Sequence, residues 1–294
     1  VHMSTDRPIW PQGVARPAGE PPPANLDWDL WLGPAPQRPF SPYYHPFNWR
    51  GWYDFGTGAL GDMALHSWHF FWDALKLTYP ARISATVALA TEAERSVDPG
   101  RGVRLRTKKV RPPETFPHAE IVTFEFPERN GLPPLRLLWY DGGLLPPRPE
   151  GLAVNEAAPT NYYVGEKGVL IPVRRRRPAP AQAEGGPGGA APRMVDVTEF
   201  LVLANGKPKP FTPPRKTIPR SVGHYQEWIA AAKGGKPAAC NFEYGRLFAE
   251  TALLGVVAVR TGKDLEYDPQ NVRFTNDAAA NEHLNPPYRA GWSL

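Results

Sequence analysis

The 294-residue chain is 41% hydrophobic, enough to fill a core, which excludes disorder along its whole length. Its 34 Lys and Arg outnumber 29 Asp and Glu for a net charge of +5, but four of these cations stand together at Arg174 to Arg177 and do not line a face or helix, which argues against a nucleic-acid partner. The single cysteine, Cys240, excludes an internal disulfide and a cysteine-based metal cluster, and no apolar run of ~18 residues offers a membrane span.

The chain opens on Val1-His2-Met3, which reads as the end of a strand, so the N-terminus looks truncated. No basic-then-apolar leader is present, and a soluble protein, cytoplasmic or exported, is expected with the compartment left open. Residues 1–50 are punctuated by proline from Pro8 to Pro46, with Trp10, Trp28, Trp31, Tyr43 and Tyr44 spaced between turns. Such composition favours extended backbone while its aromatics seek burial, which predicts an arm wrapped over another surface.

Gly56, Gly58 and Gly61 then satisfy G-x-G-x-x-G, a phosphate-cradling pattern. A dinucleotide fingerprint also requires a preceding apolar strand and an acidic residue ~20 positions on. Here the lead-in is the aromatic, proline-rich run Pro42 to Phe55, and Pro80-Ala81-Arg82 stands where the acid belongs, so no cofactor-binding residue is assigned. Residues 62–77 lack Pro and Gly, which predicts about four helical turns carrying Asp62, His66, His69 and Asp73 on one face. Met63, Leu65, Phe70, Phe71, Trp72 and Leu75 fill much of the rest, which predicts a largely buried helix with one polar seam. Asp62, in the first turn, can hold His66 across one turn, and a histidine so oriented suits general acid or base work. Asp62, His66 and His69 spread along ~10 Å of helix, which argues against one shared metal ion. Tyr44, His45, Asn48, Arg50 and Trp52 are candidates for a sugar platform of ring faces and polar tips; Trp49 and Trp52 suit a core equally well. His224 and Tyr225 are weaker inward-facing candidates.

Downstream, segments rich in β-formers run from Ile83 to Ala90, Ala119 to Phe126, Leu135 to Tyr140, Asn161 to Val173 and Val195 to Leu203, with a turn at Glu166-Lys167-Gly168. No helix-length pattern separates them, which predicts a mainly antiparallel sheet. Residues 174–193 read as a low-complexity surface insertion. Two helices follow, Val222 to Lys233 capped by Ser221, and Phe242 to Thr261 capped by Asn241 and stopped by Gly262. Lys263 to Tyr267 can add a last strand, and the tail from Asn276 should pack down.

The run Gly58-Ala59-Leu60-Gly61-Asp62-Met63-Ala64-Leu65-His66 resembles the G-x-L-x-D-x-x-x-H signature of the Gfo/Idh/MocA oxidoreductases. The resemblance extends through His45-Pro46-Phe47-Asn48-Trp49-Arg50, Asn161-Tyr162-Tyr163-Val164-Gly165-Glu166-Lys167-Gly168, Asn241-Phe242-Glu243-Tyr244-Gly245 and Tyr288-Arg289-Ala290-Gly291-Trp292. It implies the family's C-terminal α+β domain over residues 51–294: a large, mainly antiparallel open sheet with helices on one face. It also implies NAD(P)-dependent chemistry on a sugar, cyclitol or related polyol, with His66 and Asp62 on the active-site wall. NAD or NADP would be held mainly by a Rossmann domain in cis or in trans, since that domain has no counterpart here, and no metal, nucleic acid or membrane is expected. A homo-oligomer is implied as well. The alternatives are a non-catalytic carbohydrate-binding or assembly module and an NAD-dependent glycoside-cleaving relative.

Overall fold

The computed structural model describes residues 1–98, 100, 102–178 and 194–293. The strands are β1 (His2–Ser4), β2 (Arg82–Val87), β3 (Ala90–Asp98), β4 (Gly102–Val110), β5 (Glu120–Phe126), β6 (Leu135–Tyr140), β7 (Asn161–Gly165), β8 (Gly168–Pro178), β9 (Met194–Ala204), β10 (Lys207–Lys209), β11 (Leu265–Asp268) and β12 (Arg273–Phe274). The helices are α1 (Trp28–Leu32), α2 (Gly58–Ser67), α3 (His69–Trp72), α4 (His224–Ala232) and α5 (Phe242–Thr261), with short 3-10 turns at Asn48–Gly51 and Ala279–His283. The fold is α+β, with a large and mostly antiparallel sheet as its main element. The chain divides into two compact units, one of Val1–Met3 and Leu145–Pro219, the other of Ser4–Leu144 and Arg220–Leu294.

In the larger unit the strand order is β6-β5-β2-β11-β12, each neighbour antiparallel. β5 alternates strictly, sending Glu120, Val122, Phe124 and Phe126 to the buried face. α5 lies across β2, β5 and α2. It comes close because Gly255 has no side chain: a Cβ there would stand 2.6 Å from the Phe124 ring and 2.7 Å from Leu60. Asn241 caps α5 by accepting a 3.0 Å bond from the Tyr244 N–H, and Gly262 ends it in the left-handed region at φ 68°, both as the sequence predicts. The core is aromatic. Trp68 meets Phe124 and Trp139 edge-on at 5.3 and 6.2 Å, and Trp72 meets Phe126 and Phe248 at 5.9 Å each.

The arm is docked along the 114–118 loop of this unit. Gln12 donates to the Pro117 carbonyl at 2.7 Å, the Gly13 N–H to the Phe116 carbonyl at 2.7 Å, and Arg16 pairs with Glu114 at 2.7 Å. Arg38 is buried and pairs with Asp54 and Glu114, its guanidinium 5.0 Å from the Phe55 ring. The C-terminal tail packs as expected: Arg289 donates to the Gly33 carbonyl at the end of α1 at 2.9 Å and pairs with Asp29 at 2.6 Å.

In the smaller unit the order is β10-β9-β8-β7-β1, again antiparallel throughout. Gly165 opposite Gly168 closes the predicted hairpin with a two-residue turn, and Leu152, Tyr162, Ile171 and Leu203 form its core. β8 continues to Pro178, so the arginine run is the second half of a strand and not the start of an insertion; residues 179–193 lie outside the described ones.

Two helix expectations need correction. The predicted helix over 62–77 begins earlier, at Gly58, and is interrupted at Trp68, so Asp62 sits in the second turn of α2 and not the first. Its buried face is Ala59, Leu60, Gly61, Ala64, Trp68, Phe71 and Trp72, whereas Leu65 and Phe70 are exposed, Phe70 to 72%. The predicted Ser221 cap fails: α4 starts at His224 with Gly223 at the cap, and Ser221 instead accepts from the Gly223 N–H and donates to Glu227.

Candidate functional site

The 3-10 turn Asn48–Gly51 and the helix α2 meet, and their meeting point brings Arg50 to Asp62. The Arg50 Nε stands 3.6 Å from the Asp62 Oδ1, with each side chain about three-quarters buried. Three rings hold the guanidinium: Phe47 and Trp49 at 4.5 Å each and Trp10 of the arm at 5.8 Å. Its Nη1 donates to the Phe47 carbonyl at 3.0 Å. A planar cation pinned by rings and a carbonyl fixes its carboxylate partner more firmly than a mobile surface pair does.

This replaces the expected Asp62–His66 bond. Among the described residues Asp62 has Arg50 as its ion-pair partner, and no hydrogen bond joins it to His66. His66 lies one turn further along α2, exposed in the last turn of the helix. His69 and Asp73 are exposed as well; the His69 carbonyl accepts a 3.1 Å bond from the Tyr244 hydroxyl, which ties α3 to α5. Leu65 and Phe70, both exposed, flank these polar groups in the sequence, so this stretch of surface mixes apolar and titratable side chains.

The platform candidates separate into two sets. Asn48 is half-buried and donates to the Pro42 carbonyl at 3.4 Å, and His45 is half-buried with its ring edge-on to Trp31 at 5.8 Å. Tyr44 and Trp52 are core residues, 1% and 0% exposed, packed on each other at 4.8 Å, so neither ring face is open to a ligand. The Trp52 indole N–H is used internally, donating to the Tyr43 carbonyl at 3.1 Å. Tyr43 and Phe47, by contrast, are 50% and 42% exposed. His224 and Tyr225 lie exposed on α4. Trp10 is the participant that sequence reasoning missed, because only the folding of the arm brings it to Arg50.

The three glycines of the phosphate-like pattern have internal duties. A Cβ on Gly58 would lie 2.6 Å from two atoms of the Phe116 ring, one on Gly61 would collide with Thr57, and one on Gly56 with the Arg50 backbone. Each glycine's Cβ side is filled by this chain itself, and the Gly56 and Gly61 N–H groups are spent on the Trp52 and Thr57 carbonyls, so the pattern serves packing within the chain. Among the described residues no group of three or more His, Cys, Asp or Glu side chains is placed to hold a metal, and no helix is long and apolar enough to cross a membrane.

Comparison with protein-family models matches residues 9–83 and 214–294, slightly more than half of the chain, to the oxidoreductase family C-terminal alpha/beta domain. No curated protein matches the chain. The matched segments carry the arm, α2 with Asp62 and His66, α4, α5 and the C-terminal tail. With its α+β architecture and this match, the chain belongs to the Gfo/Idh/MocA oxidoreductase family, as a C-terminal alpha/beta domain.

Proposed function

We propose that the chain is the substrate-side half of an NAD(P)-dependent oxidoreductase acting on a sugar, cyclitol or related polyol. The observation that carries this reading is the ring-held Arg50–Asp62 pair one helical turn before an exposed histidine. His66 takes or returns the proton of the reacting hydroxyl, as an imidazole open to a ligand can. Asp62, fixed by Arg50, offers a carboxylate acceptor to a neighbouring hydroxyl. The exposed faces of Tyr43 and Phe47 supply apolar surface for the C–H side of a sugar ring, with Asn48 and His45 as polar neighbours.

The three glycines are taken up by packing within this chain, which supports a cofactor held by a Rossmann domain in cis or in trans. His66, open to solvent in this chain, gains the dry surroundings that proton transfer needs when such a domain covers it. Homo-oligomer formation is supported by apolar surface on the smaller unit, where Phe200 and Phe211 meet edge-on and are 41% and 38% exposed. The second reading is a non-catalytic carbohydrate-binding module, and the absence of an Asp62–His66 hydrogen bond among the described residues favours it. Joining the chain to a matching dinucleotide-binding domain and assaying sugars and cyclitols separates the two. Polyol-dependent NAD(P) reduction by the joined protein, absent from either part alone, is expected; a joined protein that binds cofactor and sugar yet turns over neither decides for the second reading.

A further inference from the structure

A second group of ionisable side chains lies inside the larger unit, beneath the segment that carries Arg50. Glu120, the first residue of β5, points to the buried face and is 1% exposed, and neither of its carboxyl oxygens meets a hydrogen-bond donor. Asp141, which follows β6 and is 0% exposed, stands beside it. Its Oδ1 accepts from the Glu120 N–H and its Oδ2 from the Trp139 indole N–H, each at 3.0 Å. The Asp141 N–H in turn donates to the Glu120 carbonyl at 3.1 Å, so the two residues are direct neighbours across the ends of β5 and β6.

The neighbouring charges do not neutralise this pair. Arg111, after β4, exerts an attractive field on Glu120 but spends its Nη1 on the Val259 carbonyl at 2.6 Å. Arg260 of α5 lies over the Tyr53 ring at 4.9 Å. The Tyr53 hydroxyl is buried without a partner and feels the charge of Glu120, and burial pushes its phenol upward. Two carboxylates enclosed together in low dielectric cannot both ionise cheaply. We propose that Glu120 and Asp141 share one proton, with Asp141 holding the charge that its two N–H donors satisfy, and that this pair makes the seating of the Asn48–Tyr53 segment sensitive to pH.

The mechanical link is short. Trp52 bridges to Thr115, the Tyr53 N–H donates to the Glu114 carbonyl at 2.9 Å, and the Phe116 N–H donates to the Gly51 carbonyl at 3.0 Å. The Tyr53 and Phe116 rings pack at 4.4 Å, and Gly58 at the start of α2 lies against the same Phe116. Loss of the shared proton leaves two like charges next to this joint, and the relief available is entry of water or displacement of Tyr53.

Burial, then the Asp141 charge, raises the Glu120 carboxyl well above its usual range, and burial pushes Asp141 up to about 7. Unfolded carboxyls lose their protons near pH ~4. Between that value and the raised ones the folded chain binds more protons than the unfolded chain, so this stability is complete at acid pH and is lost as pH rises through the raised values, the share of the common proton going only when Glu120 itself ionises. Thermal unfolding of the chain across the weakly acid to weakly alkaline range tests it. The expected result is a melting temperature that falls by several degrees toward alkaline pH, and a Glu120→Gln chain that loses most of this slope and melts above the unaltered chain at alkaline pH. Amide exchange at Tyr53 and Phe116 should follow the same pattern. Parallel melting curves for the two chains would overturn the proposal. Should Glu120→Gln fail to fold, infrared spectra of the unaltered chain at neutral pH decide: a protonated-carboxyl carbonyl band supports the shared proton, and its absence refutes it.

Discussion

Trp68→Ala is expected to lower the unfolding free energy by about 3–5 kcal/mol, the range for truncating a large buried aromatic. Trp68 is fully buried at the junction of α2 and α3, against Phe124, Trp139 and, in a stack at 5.7 Å, Trp72. Its indole N–H has no acceptor, so alanine forfeits no hydrogen bond there; the loss is dispersion, buried area and the cavity left behind. Three large rings around that cavity collapse poorly, which places the expected value toward the upper end. Urea unfolding with a lowered midpoint and an unchanged slope checks this. A loss below about 1 kcal/mol would show that these rings are not the core that holds the helix on the sheet.

Gly58→Ala is expected to cost about 2–4 kcal/mol from two separable sources. Gly58 has φ 63°, where an L side chain is strained, and the added Cβ would lie 2.6 Å from ring atoms of Phe116, which is fully buried and cannot yield. Gly143→Ala is the control. It shares the backbone cost at φ 83° but meets nothing within 4 Å, so only about 1 kcal/mol is expected. Because Gly58 opens α2, its substitution should also disturb Asp62 and His66, whereas the Gly143 variant should leave any sugar binding unchanged. Equal destabilisation by the two would mean that the Phe116 contact carries no energy.

Much of the fold could be read from the sequence where local chemistry and tertiary demand agree. Leu135 to Tyr140 is a strand at the bounds its β-formers set, and α5 begins and ends at the caps its Asn and Gly supply. The β3–β4 ribbon was not legible. Its residues from Thr91 to Val110 are rich in charge, and the nine-pair register from Ala90 opposite Val110 to Asp98 opposite Gly102 is one of backbone pairing. The start of α2 was misplaced because glycine normally ends helices; here Gly58 and Gly61 are admitted because Phe116 and Thr57 leave room for nothing larger.

At the candidate site, helical spacing placed Asp62 and His66 on one face but could not reveal which neighbour takes the carboxylate. Arg50 wins because the 3-10 turn delivers a guanidinium already held by three rings, a tertiary fact involving Trp10 from far upstream. Tyr44 illustrates the opposite error: its polar tip suggests a binding surface, yet its ring is needed inside, where the arm's aromatics meet, and Trp52 takes the core place that the sequence leaves equally open. Glu120 escaped notice because a carboxyl in a strand reads as the wet face, whereas the strict alternation of β5 turns it inward.

The central claim is that His66 moves the proton of the reacting hydroxyl. Its most direct test is polyol-dependent NAD(P) reduction by the chain joined to a dinucleotide-binding domain, with His66 intact and with His66→Ala, each at saturating substrate. His66 is exposed and outside the core, so the substitution should leave folding intact. A fall in kcat of about 10²–10⁴-fold with little change in KM is predicted, the contribution of a positioned acid or base. Equal kcat values for the two proteins would contradict it.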